Sequence, residues 1–145
     1  MLGLANDPGA VFPVVSLYKK TYSRLPMDAP KPVRWVGSSK RDLKSFPRPV
    51  QRDVGQALYM AQRGLEDPAV KALKGFGGRG VLEIVASHDG DAYRAVYTVR
   101  FAGAVYVLHA FQKKSKSGIA TPRPDMELIM TRLAAAERDY RERED

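Results

Sequence analysis

Cysteine is absent from the 145 residues, and histidine occurs only twice. The first absence removes disulfides, thiolate metal ligands and cysteine nucleophiles together. With two imidazoles left, an all-protein zinc site is not expected, and neither a metal nor another cofactor is anticipated. No apolar run approaches the roughly 18 residues that a membrane span needs. The N-terminal stretch Val11 to Leu17 is broken by Pro13 and followed by Lys19, so neither insertion nor secretion is expected and the expected compartment is the cytoplasm. What is present suits a folded chain: 44% hydrophobic, 28% charged and 9% aromatic residues exclude disorder, and the length suits one domain with a short appendage.

Charge is unevenly distributed. The net value is +8, yet from Asp125 onward seven acids face four bases, so the preceding 124 residues carry +11. A field of that sign draws in polyanions and speeds encounter with nucleic acid.

Residues 1–30 contain Pro8, Pro13, Pro26 and Pro30 with no sustained apolar period. They read as an N-terminal extension, with Val14 to Tyr22 as a candidate short element, and 31–145 reads as the domain. Val33 to Gly37 is a strand candidate. Ser38 or Ser39 then caps a short helix carrying Leu43 and Phe46, ended by Pro47 and Pro49. A second helix from about Pro49 to Arg63 lines up Val50, Val54, Ala57, Leu58, Ala61 and Leu65, with Gly64 as terminator. Beyond Pro68 the period falls to two: Val81 to Ser87, Tyr93 to Phe101 and Ala104 to Phe111 read as an antiparallel meander turning at Asp89-Gly90-Asp91 and Ala102-Gly103. Thr121 caps a last helix with Pro122 at its first position and Met126, Ile129, Met130, Leu133, Ala136 and Tyr140 as its stripe. The expectation is an α+β domain of order β-α-α-β-β-β-α: a small antiparallel sheet, an N-terminal helical hairpin and a C-terminal helix, with helices on one sheet face and the other face partly open.

Gly75-Phe76-Gly77-Gly78-Arg79-Gly80 matches a dinucleotide fingerprint only on paper, because it precedes a strand instead of opening a helix. It reads as a loop. The last hairpin is more informative. A two-residue Ala102-Gly103 loop places Val96 opposite His109, Arg94 opposite Phe111 and Thr98 opposite Val107, so Arg94 and His109 become diagonal neighbours on one face. Tyr97, Val99 and Leu108 fall on the other face. Glu83 joins the Arg94 face if a four-residue turn links Ser87 to Ala92; a five-residue turn reverses it. His109 reads either as a half-buried imidazole bonded to backbone or as a proton-transfer group beside an arginine and the basic run Gln112-Lys113-Lys114-Ser115-Lys116.

Tyr93-Arg94-Ala95-Val96-Tyr97, Val107-Leu108-His109-Ala110-Phe111-Gln112-Lys113-Lys114-Ser115 and the Thr121-Pro122 helix start, with Leu73-Lys74-Gly75 and Leu82-Glu83-Ile84, closely resemble the phage-derived, HigB-like branch of the RelE/ParE toxin superfamily. The resemblance covers roughly Lys31 to Tyr140. It implies a RelE-like fold and the toxin half of a type II toxin–antitoxin pair. Such a toxin is an endoribonuclease that cuts mRNA on the ribosome and so inhibits translation. Its partner is an antitoxin with a helix-turn-helix domain, held with it in a hetero-oligomer. Some superfamily members instead poison DNA gyrase without cutting RNA, so a non-nuclease toxin or a non-catalytic nucleic-acid-binding protein is the alternative.

Metal-free RNA cleavage needs a base for the 2′-hydroxyl proton, an acid for the leaving 5′-oxygen and cations for the phosphoryl charge. Arg94 suits the phosphate, since its planar fork meets two oxygens at once. His109 suits proton transfer, with Lys113, Glu83 and Tyr97 as further candidates. Lys74, Arg79, Lys114 and Lys116 are candidate RNA contacts. Phe111 or Phe76 is a candidate for base stacking, although both read equally as core.

Overall fold

The computed structural model describes residues 5–6, 30–78, 80–113 and 120–144. Its strands are β1 (Ala5–Asn6), β2 (Val33–Trp35), β3 (Val70–Ala72), β4 (Val81–His88), β5 (Asp91–Thr98) and β6 (Val105–Lys113). Its helices are α1 (Ser39–Lys44), α2 (Arg48–Gln62) and α3 (Arg123–Glu144). One sheet holds all six strands in the order β1-β2-β6-β5-β4-β3. The α+β class and the order of main elements agree with the sequence. Among the described residues no helix is long and apolar enough to cross a membrane.

Two strands have no counterpart in the sequence reading. β3 is three residues long and pairs antiparallel with β4; β1 comes from the segment that reads as an extension and pairs Ala5 with Trp35. Val14 to Tyr22 lies outside the described residues. The sheet is mixed, because β2 runs parallel to β6, Val33 beside Val105 and Trp35 beside Val107.

Helices cover both faces, against the expectation of one. The reason is visible in β6: Val105, Tyr106, Val107 and Leu108 are all fully buried, so this strand is apolar on both sides and each side requires cover. On one face α1 and α2 bring Leu43, Val54, Ala57 and Leu58 against Trp35, Tyr97 and Val107. On the other, α3 brings Ile129, Leu133 and Ala136 against Val96, Tyr106 and Leu108. Two apolar residues of the expected stripes stay out: Met130 is 48% exposed, and Leu65 lies past the end of α2 at 37%. That helix ends where Gly64 turns left-handed (φ +75°) and the Leu65 amide donates to Met60.

The β4–β5 hairpin closes on Asp89-Gly90 with both φ values positive and pairs Ser87 with Ala92, as an Asp-Gly turn favours. The β5–β6 pair is irregular. Val96 faces His109 and Arg94 faces Phe111, as expected, but Tyr97 faces Val107 and Thr98 faces Tyr106 instead of Val107. The connection runs from Val99 to Ala104, longer than the two-residue loop expected, and Leu108 is the extra residue of a β-bulge. The bulge breaks the alternation, so Leu108 joins the α3 side with Val96 instead of lying opposite it.

The far end of α3 is tied down by Tyr106. Its hydroxyl donates to Asp139 at 2.7 Å and accepts from Arg34 at 2.8 Å, while the Tyr140 hydroxyl accepts from the Gly103 amide at 3.0 Å. Burial first, and then the bond to Asp139, pushes the Tyr106 pKa up to about 12. The neutral phenol is therefore favoured by folding, and that stabilisation is complete below the ordinary value of 10 and lost as pH rises through about 12. Tyr106→Phe should lower unfolding free energy by about 1–2 kcal/mol at neutral pH. Denaturant titrations between pH 9 and 12 should show a shallower alkaline loss in the variant than in the wild type.

Candidate functional site

β3, β4 and β5 lay their α3-side residues next to one another: Lys71 pairs with Glu83, Glu83 with Val96, and Arg94 lies diagonally beyond. With the entry to α3 they bound a pocket of about 250 Å³ lined by Lys71, Leu73, Lys74, Glu83, Arg94 and Thr121, with Met126 among its apolar walls. Arg94 and Glu83 are each only 5% exposed. The Arg94 Nη1 donates to Glu83 Oε2 at 3.1 Å and to Thr121 Oγ1 at 3.4 Å, while Lys71 Nζ stands 3.9 Å from Glu83 Oε1. Lys113, at the end of β6, feels the same cluster: desolvation first, then the Arg94 charge, lowers its pKa below the ordinary lysine value, with Glu83 opposing. The pocket thus gathers several cations about one carboxylate, with an apolar wall.

His109 holds a different position. It shares the Arg94 face but does not line the pocket. Its Nε2 lies 2.7 Å from Asp125 Oδ1 in the first turn of α3, its Nδ1 lies 3.5 Å from Arg132 Nη1, and its ring stacks on Phe111 at 4.7 Å. Arg132 in turn donates to the carbonyl of Leu108, the bulge residue, at 2.9 Å and to Ser38 Oγ at 3.1 Å.

Of the other residues singled out in the sequence, Lys74, Glu83 and Arg94 meet at the pocket. Tyr97 does not: it is buried on the opposite sheet face among α2 side chains, where burial above all raises its hydroxyl pKa well beyond the usual range. Phe76 and Phe111 are core residues at 1% and 9% exposure, so neither offers an open ring face for a base. Arg79, Lys114 and Lys116 lie outside the described residues. Sequence reasoning does not find Lys71, Thr121, Asp125 or Arg132. Lys71 sits on an edge strand too short to signal itself. Thr121 looks like a helix cap, yet its hydroxyl meets Arg94, and the Met126 amide donates to the Pro122 carbonyl at the helix start. Asp125 and Arg132 are hidden in the mixed charge of the tail.

The profile of a family described as Phage derived protein Gp49-like matches residues 41–134. The chain belongs to this phage-derived Gp49-like family. No curated protein matches it. The matched span contains every residue lining the pocket of this Gp49-like chain.

Glu83→Ala would leave the Arg94 guanidinium in a buried site without its carboxylate. It should cost about 3–5 kcal/mol in denaturant unfolding, while Glu83→Gln, which keeps an acceptor, should cost clearly less.

Proposed function

We propose that the chain is the toxin of a type II toxin–antitoxin pair and acts as an endoribonuclease on ribosome-bound mRNA. The observation that carries this reading is the convergence of Arg94, Lys71, Lys74 and Glu83 on one pocket, with Lys113 within electrostatic range. Membership of a phage-derived family and the +11 carried by the first 124 residues support it, as does the sequence resemblance to RelE/HigB-like toxins.

In this reading the scissile phosphate lies against Arg94, whose charge meets the negative charge that builds on the phosphoryl oxygens. Glu83 takes the proton of the 2′-hydroxyl as that oxygen bonds to phosphorus. Lys113 gives a proton to the leaving 5′-oxygen, and a lowered ammonium pKa makes it a readier donor. The products are a 2′,3′-cyclic phosphate and a free 5′-hydroxyl. Lys71 and Lys74 hold flanking phosphates. The cognate antitoxin, a helix-turn-helix protein, would silence the enzyme by covering this basic surface with an acidic or amphipathic segment.

Arg94→Ala should lower single-turnover cleavage of ribosome-bound mRNA by roughly 10²-fold or more, with smaller effect on ribosome association. Lys74→Ala should instead weaken association and reduce its salt dependence by about one unit of slope, the mark of one lost phosphate contact. An acid that must be protonated gives a rate that falls as pH rises through its pKa. The wild-type rate should therefore decline at a pH below the ordinary lysine value of 10.5, and Lys113→Ala should lose that alkaline limb. An Arg94→Ala variant that cleaves at the wild-type rate would remove the proposed site.

A further inference from the structure

A carboxylate accepts hydrogen bonds, so at 2.7 Å His109 Nε2 is the donor to Asp125 Oδ1. On the other side of the ring Arg132 Nη1 stands 3.5 Å from Nδ1. Arg132 is itself fixed on three other sides: it bonds the Leu108 carbonyl and Ser38 Oγ, and it packs so closely on Gly37 that a Cβ there would stand 2.9 Å from its Nη2. Ser38 Oγ passes the chain on to Asp42 at 2.7 Å. The series Asp42, Ser38, Arg132, His109, Asp125 therefore runs from α1 across β6 to the first turn of α3. Asp125 immediately precedes Met126, and Thr121 lies four residues before it; both Met126 and Thr121 line the pocket, and Thr121 bonds Arg94. From behind, the His109 ring is braced on Phe111, the strand partner of Arg94.

We infer that His109 is a positioning residue: donating from Nε2, it holds Asp125 and so fixes Thr121 and Met126 at the pocket wall beside Arg94. This role deepens the proposed nuclease reading and rests on it. It differs from a proton-transfer role in what a substitution should do. A latch needs only a donor at the Nε2 position, which a glutamine side chain supplies; proton transfer needs a group that titrates, which glutamine lacks.

The test compares His109→Ala, His109→Gln and Asp125→Ala in the full chain, Asp125 being the partly exposed partner. Single-turnover cleavage of ribosome-bound mRNA should fall by about tenfold or more in both alanine variants, as misplacement of pocket groups entails, and should return to within about threefold of wild type in His109→Gln. A second readout needs no activity: with ¹³C-methyl methionine, the Met126 signal, assigned through Met126→Leu, should shift in both alanine variants and keep its wild-type position in His109→Gln. His109→Gln as inactive as His109→Ala while Met126 stays in place would make His109 a proton-transfer group and overturn the inference. A wild-type rate and an unmoved Met126 in His109→Ala would overturn it too. Should the wild-type chain cleave nothing, the nuclease reading fails alone, and the Met126 signal still decides whether His109 latches the wall. If His109→Ala does not fold, Asp125→Ala breaks the same contact from its exposed side, and a wild-type rate with an unmoved Met126 there overturns the inference equally.

Discussion

The structure turns on one strand that must satisfy two cores. β6 is hydrogen-bonded on both edges, to β2 and to β5, and carries apolar side chains to both sheet faces. A regular strand would divide its residues strictly by alternation. The bulge at Leu108 relaxes that division. It sends Val105, Val107 and Ala110 to the α2 side and Tyr106, Leu108 and Phe111 to the α3 side, and it brings His109 to Asp125 in the first turn of α3. A bulge disturbs ladder bonding, and here the Leu108 carbonyl is met by Arg132. Helix α3 is thereby joined to the strand at the point where its first turns wall the pocket.

Within the pocket the chemistry is set by a buried ion pair. Burying Arg94 and Glu83 together removes two charges from water, a cost that their attraction seldom exceeds by much. Leucine and valine in their place would pack against the same sheet without it. What the pair supplies instead is a guanidinium fixed beside a carboxylate at the wall of an open site, flanked by Lys71 and Thr121. Groups held in place before a ligand arrives need little reorganisation when charge develops on it. The latch through His109 and Arg132 serves the same end by fixing the remaining wall.

How far the sequence can be read follows from where its signals are local. Asp89-Gly90 dictates a tight turn by its own chemistry, and with it Glu83 falls on the Arg94 face. The pairing of Val96 with His109 is also legible, though for an incomplete reason. The loop after β5 is longer than Ala102-Gly103 alone, which displaces the near pairs by one residue, and the bulge restores the expected pairing beyond it. Nothing in Val-Tyr-Val-Leu-His-Ala-Phe marks a bulge: it contains no glycine, and the shift of His109 and Phe111 to the α3 side is visible only in the assembled sheet. The parallel contact of β2 and β6 is likewise a property of topology. Val70-Lys71-Ala72 is too short for periodicity to register, so Lys71 stays invisible until its partner Glu83 is seen. Thr121 and Asp125 read only as residues near a helix start, whereas their roles depend on Arg94 and His109 in distant strands.

The proposed mechanism sets an RNA phosphate against Arg94, with the neighbouring 2′-hydroxyl as nucleophile. The most direct measurement uses ribosome-bound mRNA carrying a single 2′-deoxynucleotide at the scissile position, with the products' termini read by mass spectrometry. Attack by the 2′-hydroxyl predicts an uncut deoxy-substituted message and, from the all-ribose message, fragments ending in 2′,3′-cyclic phosphate and beginning with 5′-hydroxyl. Cleavage of the deoxy-substituted message at the same bond, or fragments carrying a 5′-phosphate, would contradict it.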